Sequence, residues 1–152
     1  MLGTTYETQV CSIARSLEVI GERWTLLIVR NLFLGLRRFD ELQENLGIAR
    51  NVLAARLDKL VETGVVETRP YSERPLRHEY VLTEKGRDLF PVLVSLMQWG
   101  DRHAPAPGGP PMLMLHRGCG GDLDSHRSCT RCGKRLELHH VQAVAGPGAS
   151  YE

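Results

Sequence analysis

Residues 105–111 read Pro-Ala-Pro-Gly-Gly-Pro-Pro, and this segment constrains the fold more than any other part of the chain. Proline lacks a backbone N–H donor and glycine resists ordering, so neither a helix nor a strand is expected to continue through such a run. We therefore predict a linker here. The residues on each side of it must bury their own apolar side chains.

Four segments follow from this division of the 152 residues. Residues 1–104 form one domain of ordinary size, and residues 105–111 form the linker. Residues 112–142 contain three of the four cysteines and form a small module. Residues 143–152 are rich in Gly, Ala, Ser and Pro, which predicts a disordered tail.

Charge and composition exclude several classes of protein. Nineteen Lys and Arg against eighteen Asp and Glu give a net charge of +1, so any contact with nucleic acid must come from local clusters of charge. No apolar run approaches the about 18 residues of a membrane span, and the first residues lack the pattern of a signal peptide. We expect a cytoplasmic protein whose thiols stay reduced, so its cysteines need a role other than disulfide bonding.

The first domain shows four stretches with apolar residues at helical spacing. They cover residues 10–20, 24–32, 39–46 and 53–61. Gly47 is expected to end the third helix, and only residues 47–49 join it to the fourth. Two short helices joined by a tight turn that contains glycine predict a helix-turn-helix.

A β-hairpin and a last helix are predicted to follow. Residues 65–69 and 78–82 read as strands, and the prolines at 70 and 75 confine the intervening residues to a loop or to edge geometry. Thr83 is placed to cap a helix that runs to about His103, in which Pro91 produces a kink or starts a new turn. The order predicts a winged helix-turn-helix, an α+β fold that is mostly α, followed by a small module.

Residues 11–103 resemble the HxlR-type family of bacterial transcriptional regulators, relatives of the MarR-type winged-helix proteins. The resemblance is carried by Cys11, Leu17 and the segments IGERWT (20–25), RFDEL (38–42), LAARLDKL (53–60), ETGVV (62–66), EYVLTEKG (79–86) and WG (99–100). It implies a homodimer, in which the first and last helices make the contacts, on a pseudo-palindromic operator. Ser12 replaces a frequent proline and Ala49 a frequent serine, which removes an N-cap from the fourth helix.

The fourth helix is the predicted recognition helix. It buries Leu53, Leu57 and Leu60, which leaves its other faces for the major groove. We expect Arg50 to bind guanine and Asn51 to bind adenine, with two alanines allowing close approach and the remaining basic residues contacting phosphate or the minor groove. The residues predicted to contact DNA are Arg37, Arg38, Arg50, Asn51, Ala54, Ala55, Arg56, Lys59, Arg74 and Arg77.

The hairpin tip supplies the local positive charge that the whole chain lacks. Residues 69–77 hold three arginines and one glutamate, a local charge of +2. The alternative is that these arginines are ordinary solvated side chains paired with Glu67, Glu73 or Glu79.

The small module contains H-x-x-C-G at residues 116–120 and C-x-x-C-G at residues 129–133. A two-residue spacer lets two side chains bind one tetrahedral ion, so we predict a structural zinc site like that of a zinc ribbon. Its ligands are His116, Cys119, Cys129 and Cys132. The alternatives are a ribbon without metal and a redox disulfide between Cys129 and Cys132. His126, His139 and His140 are weaker candidates to replace His116.

Cys11 has two interpretations. At the start of the first helix it is either a buried cysteine at the dimer interface or a redox sensor, because a helix N-terminus favours the thiolate. Some members of the family that the chain resembles sense oxidants or electrophiles at this position, so a small-molecule or oxidant effector is a candidate partner. The apolar residues Leu17, Leu89, Leu93 and Met97 are likewise either core or dimer contacts.

We therefore expect a DNA-binding transcriptional regulator, a homodimeric repressor with double-stranded DNA as its partner. The alternative is a protein-interaction adaptor built on a winged helix and a zinc ribbon. We expect no enzyme activity, because no nucleophile and base stand at a recognisable spacing and four protein ligands leave a metal no open position.

Overall fold

The computed structural model describes residues 5–149, which form two compact units divided between Arg87 and Asp88. The first unit contains α1 (Ser12–Ile20), α2 (Thr25–Phe33), α3 (Phe39–Leu46), α4 (Arg50–Glu62), β1 (Val66–Glu73), β2 (Leu76–Leu82) and α5 (Glu84–Arg87). The second contains α6 (Phe90–His103), β3 (Met112–His116), a 3₁₀ turn (Leu138–His140) and β4 (Val141–Ala145). No helix among the described residues is long and apolar enough to cross a membrane.

The helix-turn-helix consists of α3 and α4, as predicted. Gly47 follows α3 with φ 62°, in the left-handed region that favours glycine, and it turns the chain towards α4. At the other end of α3 the Glu41 carboxylate accepts hydrogen bonds of 3.1 Å from the amides of Arg37 and Arg38. Ala49 gives α4 no side-chain cap, as its sequence indicates.

Apolar side chains from every helix of α1–α4 and from the start of β1 form the core of the first unit. Among the fully buried residues are Ile28, Val29, Leu42, Leu53, Leu57, Leu60, Val65 and Val66. Asn31 is also buried, and its amide donates to the Asn45 side chain at 2.7 Å, which joins α2 to the end of α3. The hydrogen bond satisfies the buried Asn31 amide with a partner at the surface, since Asn45 is exposed.

The antiparallel strands β1 and β2 form the wing, defined here as residues 66–82. β1 continues through Pro70 to Glu73, with an irregularity between Pro70 and Ser72, so the strands are longer than the sequence indicated. The sequence predicted either a loop or edge geometry for the residues around the two prolines, and in the structure Pro70 lies in an edge strand. A two-stranded sheet tolerates proline because each strand has one side without a ladder partner. The Arg74–Pro75 bond at the tip is cis.

The predicted last helix is divided in two. The Thr83 hydroxyl accepts a 3.2 Å hydrogen bond from the Gly86 amide at the start of α5. Pro91 lies in the first turn of α6, where proline fits, so it starts a new helix. A Cβ on Gly86 would lie 2.2 Å from the Val65 carbonyl oxygen, and only glycine allows this close approach.

The second unit joins α6 to the C-terminal residues, so the compact units divide earlier than the predicted boundary after residue 104. The Gln98 side chain of α6 donates to the carbonyl oxygens of Leu123 and Asp124 at 3.4 and 3.0 Å. β4 pairs along its whole length with β3, from Met112↔Ala145 to His116↔Val141. The strand therefore includes residues 143–145 of the predicted tail, while residues 150–152 lie outside the described residues.

Candidate functional site

The first turn of α4 presents polar side chains to solvent. Arg50 and Asn51 are exposed, and Ala55 is exposed one turn later, while Ala54 is half-buried. The Arg50 guanidinium lies 4.9 Å from the centroid of the Phe39 ring, at the start of α3. The helix thus offers a donor-rich end and a small-residue surface, the pattern needed for close approach to base edges.

Arg56 and Lys59, further along α4, are engaged by another part of the chain. An Arg56 guanidinium nitrogen lies 2.7 Å from one carboxylate oxygen of Glu22, and Lys59 Nζ lies 2.9 Å from the other. Arg56 Nε also donates to the Arg23 carbonyl oxygen at 2.9 Å. The hydrogen bond from Lys59 and the charge of Arg56 hold the pKa of Glu22 below its ordinary value.

The sequence interpretation missed Glu22. It lies in the short connection between α1 and α2, and no local spacing relates it to residues 56 and 59. Only the fold, which places the connection between α1 and α2 beside α4, brings these three charges together. The only feature of the sequence that drew attention to Glu22 was its position in the IGERWT segment, and this position does not show that Glu22 pairs with Arg56 and Lys59.

The wing carries two kinds of arginine. Arg69 pairs with Glu67 at 2.6 Å, as the solvated-arginine alternative expected. Arg74 and Arg77, by contrast, are exposed at the tip and have no ion pair within residues 5–149. The two wing arginines without an ion pair therefore both lie at its tip, where they outnumber the exposed Glu73.

The residues that precede α3 are attached to the wing. The Arg37 carbonyl oxygen accepts a 2.7 Å hydrogen bond from the Tyr80 amide of β2, and the Arg37 side chain lies 3.8 Å from Glu79. The Arg38 guanidinium stacks 4.5 Å from the centroid of the Tyr71 ring. Both arginines are exposed, so the structure places their charge beside the wing.

The four predicted metal ligands converge in the second unit. The candidate ligand atoms of His116, Cys119, Cys129 and Cys132 all lie within 4.8 Å of one another. His116 Nδ1 is 3.2 Å from Cys119 Sγ and 3.4 Å from Cys132 Sγ, and the Cys119 and Cys129 sulfurs are 3.4 Å apart. Sulfur ligands about 2.3 Å from a tetrahedral zinc ion are about 3.8 Å apart, so one ion fits this group.

Backbone amides prepare the thiols for a cation. The Cys132 amide, helped by that of Arg131, donates to the Cys129 sulfur and lowers the pKa of Cys129 to about 6. At Cys119 the Gly121 amide acts in the same direction, but the neighbouring thiols and burial outweigh it and raise the pKa of Cys119.

Glycines shape the walls of this site. Gly120 and Gly133, each directly after a cysteine, have φ values of 75° and 74°, in the left-handed region. A Cβ on Gly121 would lie 2.5 Å from Cys129 Sγ. Three soft sulfur donors and one imidazole in a tetrahedral group are the ligands that structural zinc prefers. The residues present therefore fit zinc.

The other histidines of the module have different neighbours. The His140 ring accepts a 2.9 Å hydrogen bond from the Glu137 amide, and the His139 ring lies 3.9 Å from that of His140. His126 contacts the Ser125 hydroxyl at 3.3 Å. The structure brings none of the three into the ligand group found among residues 5–149.

Two helices leave large apolar side chains in solvent. Val92, Leu96 and Trp99 are 43, 50 and 61% exposed, and their spacing places them on one face of α6. Leu89, Leu93 and Met97, the residues named from the sequence, are half-buried. The exposed large apolar residues on and beside α1 include Val10, Ile13 and Leu17, and the Cys11 thiol is exposed next to them in the sequence.

Comparison with known proteins relates this geometry to a family. The model of the HxlR-like helix-turn-helix family matches residues 19–107, more than half of the chain. An uncharacterized HTH-type transcriptional regulator of Mycobacterium tuberculosis is 52% identical over 137 residues, which span 90% of this chain and 87% of the relative. A match of that length necessarily includes the four candidate metal ligands.

Solved structures are similar either to most of this chain or to about its first two thirds. PA1607, described as a transcription factor, is 41% identical with a TM-score of 0.72, and the match covers 90% of this chain and 96% of PA1607. The reduced form of the regulator YodB from Bacillus subtilis is 34% identical with a TM-score of 0.54, and the match covers 62% of this chain and 95% of YodB. The chain belongs to the HxlR-like helix-turn-helix family, and its curated relatives are HTH-type transcriptional regulators.

Proposed function

We propose that this chain is a homodimeric repressor that binds a pseudo-palindromic operator through α4 and the wing. The observation that carries the proposal is the exposure of Arg50 and Asn51 on the first turn of α4, within a helix-turn-helix of a family of regulators. A dimer bound across a promoter represses transcription by excluding other proteins from the same DNA.

In this proposal the two ends of the DNA-binding surface have different tasks. Arg50 donates to the O6 and N7 atoms of guanine, and Asn51 makes a bidentate contact with adenine. Ala54 and Ala55 allow the helix to approach the bases. Arg37, Arg38, Arg74 and Arg77 contact phosphates or the minor groove, which positions the protein without reading sequence.

The homodimer explains the exposed apolar residues of α1 and α6. A stripe formed by Val92, Leu96 and Trp99 is larger than a helix usually leaves in water, and it fits a second copy of the same helix. One recognition helix reads few base pairs. Two copies related by a two-fold axis read two half-sites about 34–36 Å apart, which makes symmetry useful for specificity.

Two substitutions separate base recognition from phosphate contact. Asn51→Ala is expected to relax the base preference at one operator position, by the about 1–3 kcal/mol that a bidentate base contact contributes. Arg74→Ala is expected to weaken binding to all sequences alike and to reduce the salt slope by about 1. Fluorescence anisotropy with operator variants across salt concentrations measures both. The placement is incorrect if neither variant changes affinity.

An electrophoretic mobility shift with DNA from the chain's own promoter region, followed across salt concentrations, tests the proposal as a whole. A regulator binds this DNA more tightly than random duplex, and part of that preference persists as salt rises. The adaptor alternative predicts no preference, and that result would overturn the proposal.

Cys11 is proposed as the site at which an oxidant acts on the regulator. Its thiol is exposed immediately before α1, where oxidants have access in the monomer. Treatment with the thiol oxidant diamide is expected to release DNA from the unmodified chain but not from Cys11→Ser, as measured by mobility shift. Equal release from both proteins would instead support the interface role for Cys11.

We also propose that zinc occupies the site formed by His116, Cys119, Cys129 and Cys132 and that its role is structural. Four protein ligands complete a tetrahedron and leave no open position for a substrate. The residues around the site bury few large apolar side chains, Leu136 and Val141 being the fully buried ones of this region. A module of this size needs such an additional constraint to fold.

A further inference from the structure

Arg56 and Lys59 were predicted from the sequence to contact phosphate, but in the structure both are bound by Glu22. The two carboxylate oxygens of Glu22 are each occupied by one of these cations, at 2.7 and 2.9 Å. Arg56 uses a further nitrogen for the Arg23 carbonyl oxygen. The recognition helix thus holds the α1–α2 connection with three polar contacts.

The exposure of these side chains distinguishes them from the cations at the start of the helix. The Arg56 and Lys59 side chains are 24 and 34% exposed, whereas Arg50 and Asn51 are exposed to solvent. A phosphate approaching either cation would also approach the Glu22 carboxylate, which carries the same sign of charge. Such a contact loses much of its Coulomb energy.

We propose that Glu22 is a specificity-determining residue: it keeps Arg56 and Lys59 from acting as sequence-independent phosphate contacts. The proposal rests on DNA binding through α4, proposed above. By occupying two cations in the middle of α4, Glu22 lowers the affinity for DNA of any sequence. The base-reading side chains at the start of the helix are unaffected, so the ratio of specific to non-specific affinity increases.

Glu22 also acts as a positioning residue. The connection that it anchors contains Trp24, whose φ of 80° lies in the left-handed region that side chains other than glycine rarely adopt. The bonds from Arg56 and Lys59 hold this connection against α4. A purely structural role would affect stability, but it would not change how binding depends on salt.

The test is Glu22→Gln, which retains an oxygen acceptor for Lys59 but removes the charge. With random-sequence duplex DNA as the probe, the two cations, whose charge no carboxylate then neutralises, are expected to steepen the salt slope by about 2. Between about 50 and about 200 mM salt, this makes the affinity of the variant fall about tenfold more than that of the unmodified chain. Its preference for promoter DNA over random duplex is expected to fall.

Glu62→Gln is the matched control, because the substitution removes the same charge. Glu62 is exposed at the end of α4, the helix that carries Arg56 and Lys59, and it has no ion pair within residues 5–149. This variant is expected to leave the salt slope unchanged. Adding Arg56→Gln and Lys59→Gln to Glu22→Gln is expected to restore the original slope. Thermal unfolding shows whether each variant is folded.

Three results decide the matter. If Glu22→Gln and Glu62→Gln behave alike, Glu22 has no role in specificity. If Arg56→Gln alone, in a chain that retains Glu22, lowers the slope by about 1, Arg56 already contacts phosphate and the inference is overturned. If the unmodified chain binds no DNA, the proposed function itself is incorrect, which is a different result from either of these.

Discussion

Cys129→Ser is expected to abolish metal binding and to unfold the residues that surround the site. Cys129 is buried, its sulfur is one of the four candidate ligand atoms, and the other histidines of the module lie outside that group, so none of them is placed to replace it. Binding of structural zinc supplies about 10–16 kcal/mol in zinc-finger peptides, and that energy is folding energy. Elemental analysis of the purified protein is expected to show a single zinc ion per chain, and essentially none in the variant.

Cys11→Ser is the control for this experiment, since it removes an exposed thiol from the other compact unit. It is expected to keep its zinc. Limited proteolysis should cleave Cys129→Ser between residues 112 and 145 while the unmodified chain resists. An unmodified protein that is isolated without metal and is equally resistant would show that the site is not a zinc site.

Leu96→Glu is expected to convert the dimer to a monomer. Leu96 is half exposed on α6, so the substitution is tolerated in one copy of the chain. In a dimer through α6 the carboxylate would be buried without a partner, which costs about 3–5 kcal/mol and raises the dissociation constant at least about 100-fold. Light scattering after size-exclusion chromatography measures the mass directly, and operator binding is expected to fall with it.

Leu34→Glu is the matched control. Leu34 is 42% exposed, similar to Leu96, but it lies at the end of α2, outside the two helices proposed to form the interface. The Leu34→Glu variant is expected to remain a dimer. A dimer that survives Leu96→Glu would show that the α6 stripe is not the interface.

Local patterns were sufficient to predict most of the first unit. Helical periodicity placed α1–α4, and Gly47 identified the turn between α3 and α4. Pro91 predicted a kink or a new turn within one last helix, whereas the structure has two helices, with Pro91 in the first turn of the second, α6. The four residues of the candidate metal site were also predictable as a group, because the two-residue spacing in each half of the site is itself local. What joins the halves is pairing of the backbone, as between Leu123 and Cys129.

Long-range contacts explain what the sequence did not show. The ion pairs of Glu22 join residues more than thirty positions apart, and charge alone does not select one partner among many. The extension of β1 beyond Pro70 depends on its pairing with β2, in which Ser72 lies opposite Arg77 and Glu73 lies opposite Leu76. Likewise, the grouping of α6 with the C-terminal residues rests on Gln98, an unremarkable side chain in the sequence.

The bonds of Gln98 also bear on how such a chain can change during evolution. At this point the link between α6 and the C-terminal module is polar: it consists of two hydrogen bonds to the backbone carbonyls of Leu123 and Asp124. In a chain that ended after α6, water would take the place of both carbonyls, and the amide would lose little. A contact of this kind lets the C-terminal module be gained or lost without redesign of the helix that carries it. The helix-turn-helix domain and the C-terminal module are thus able to evolve at separate rates.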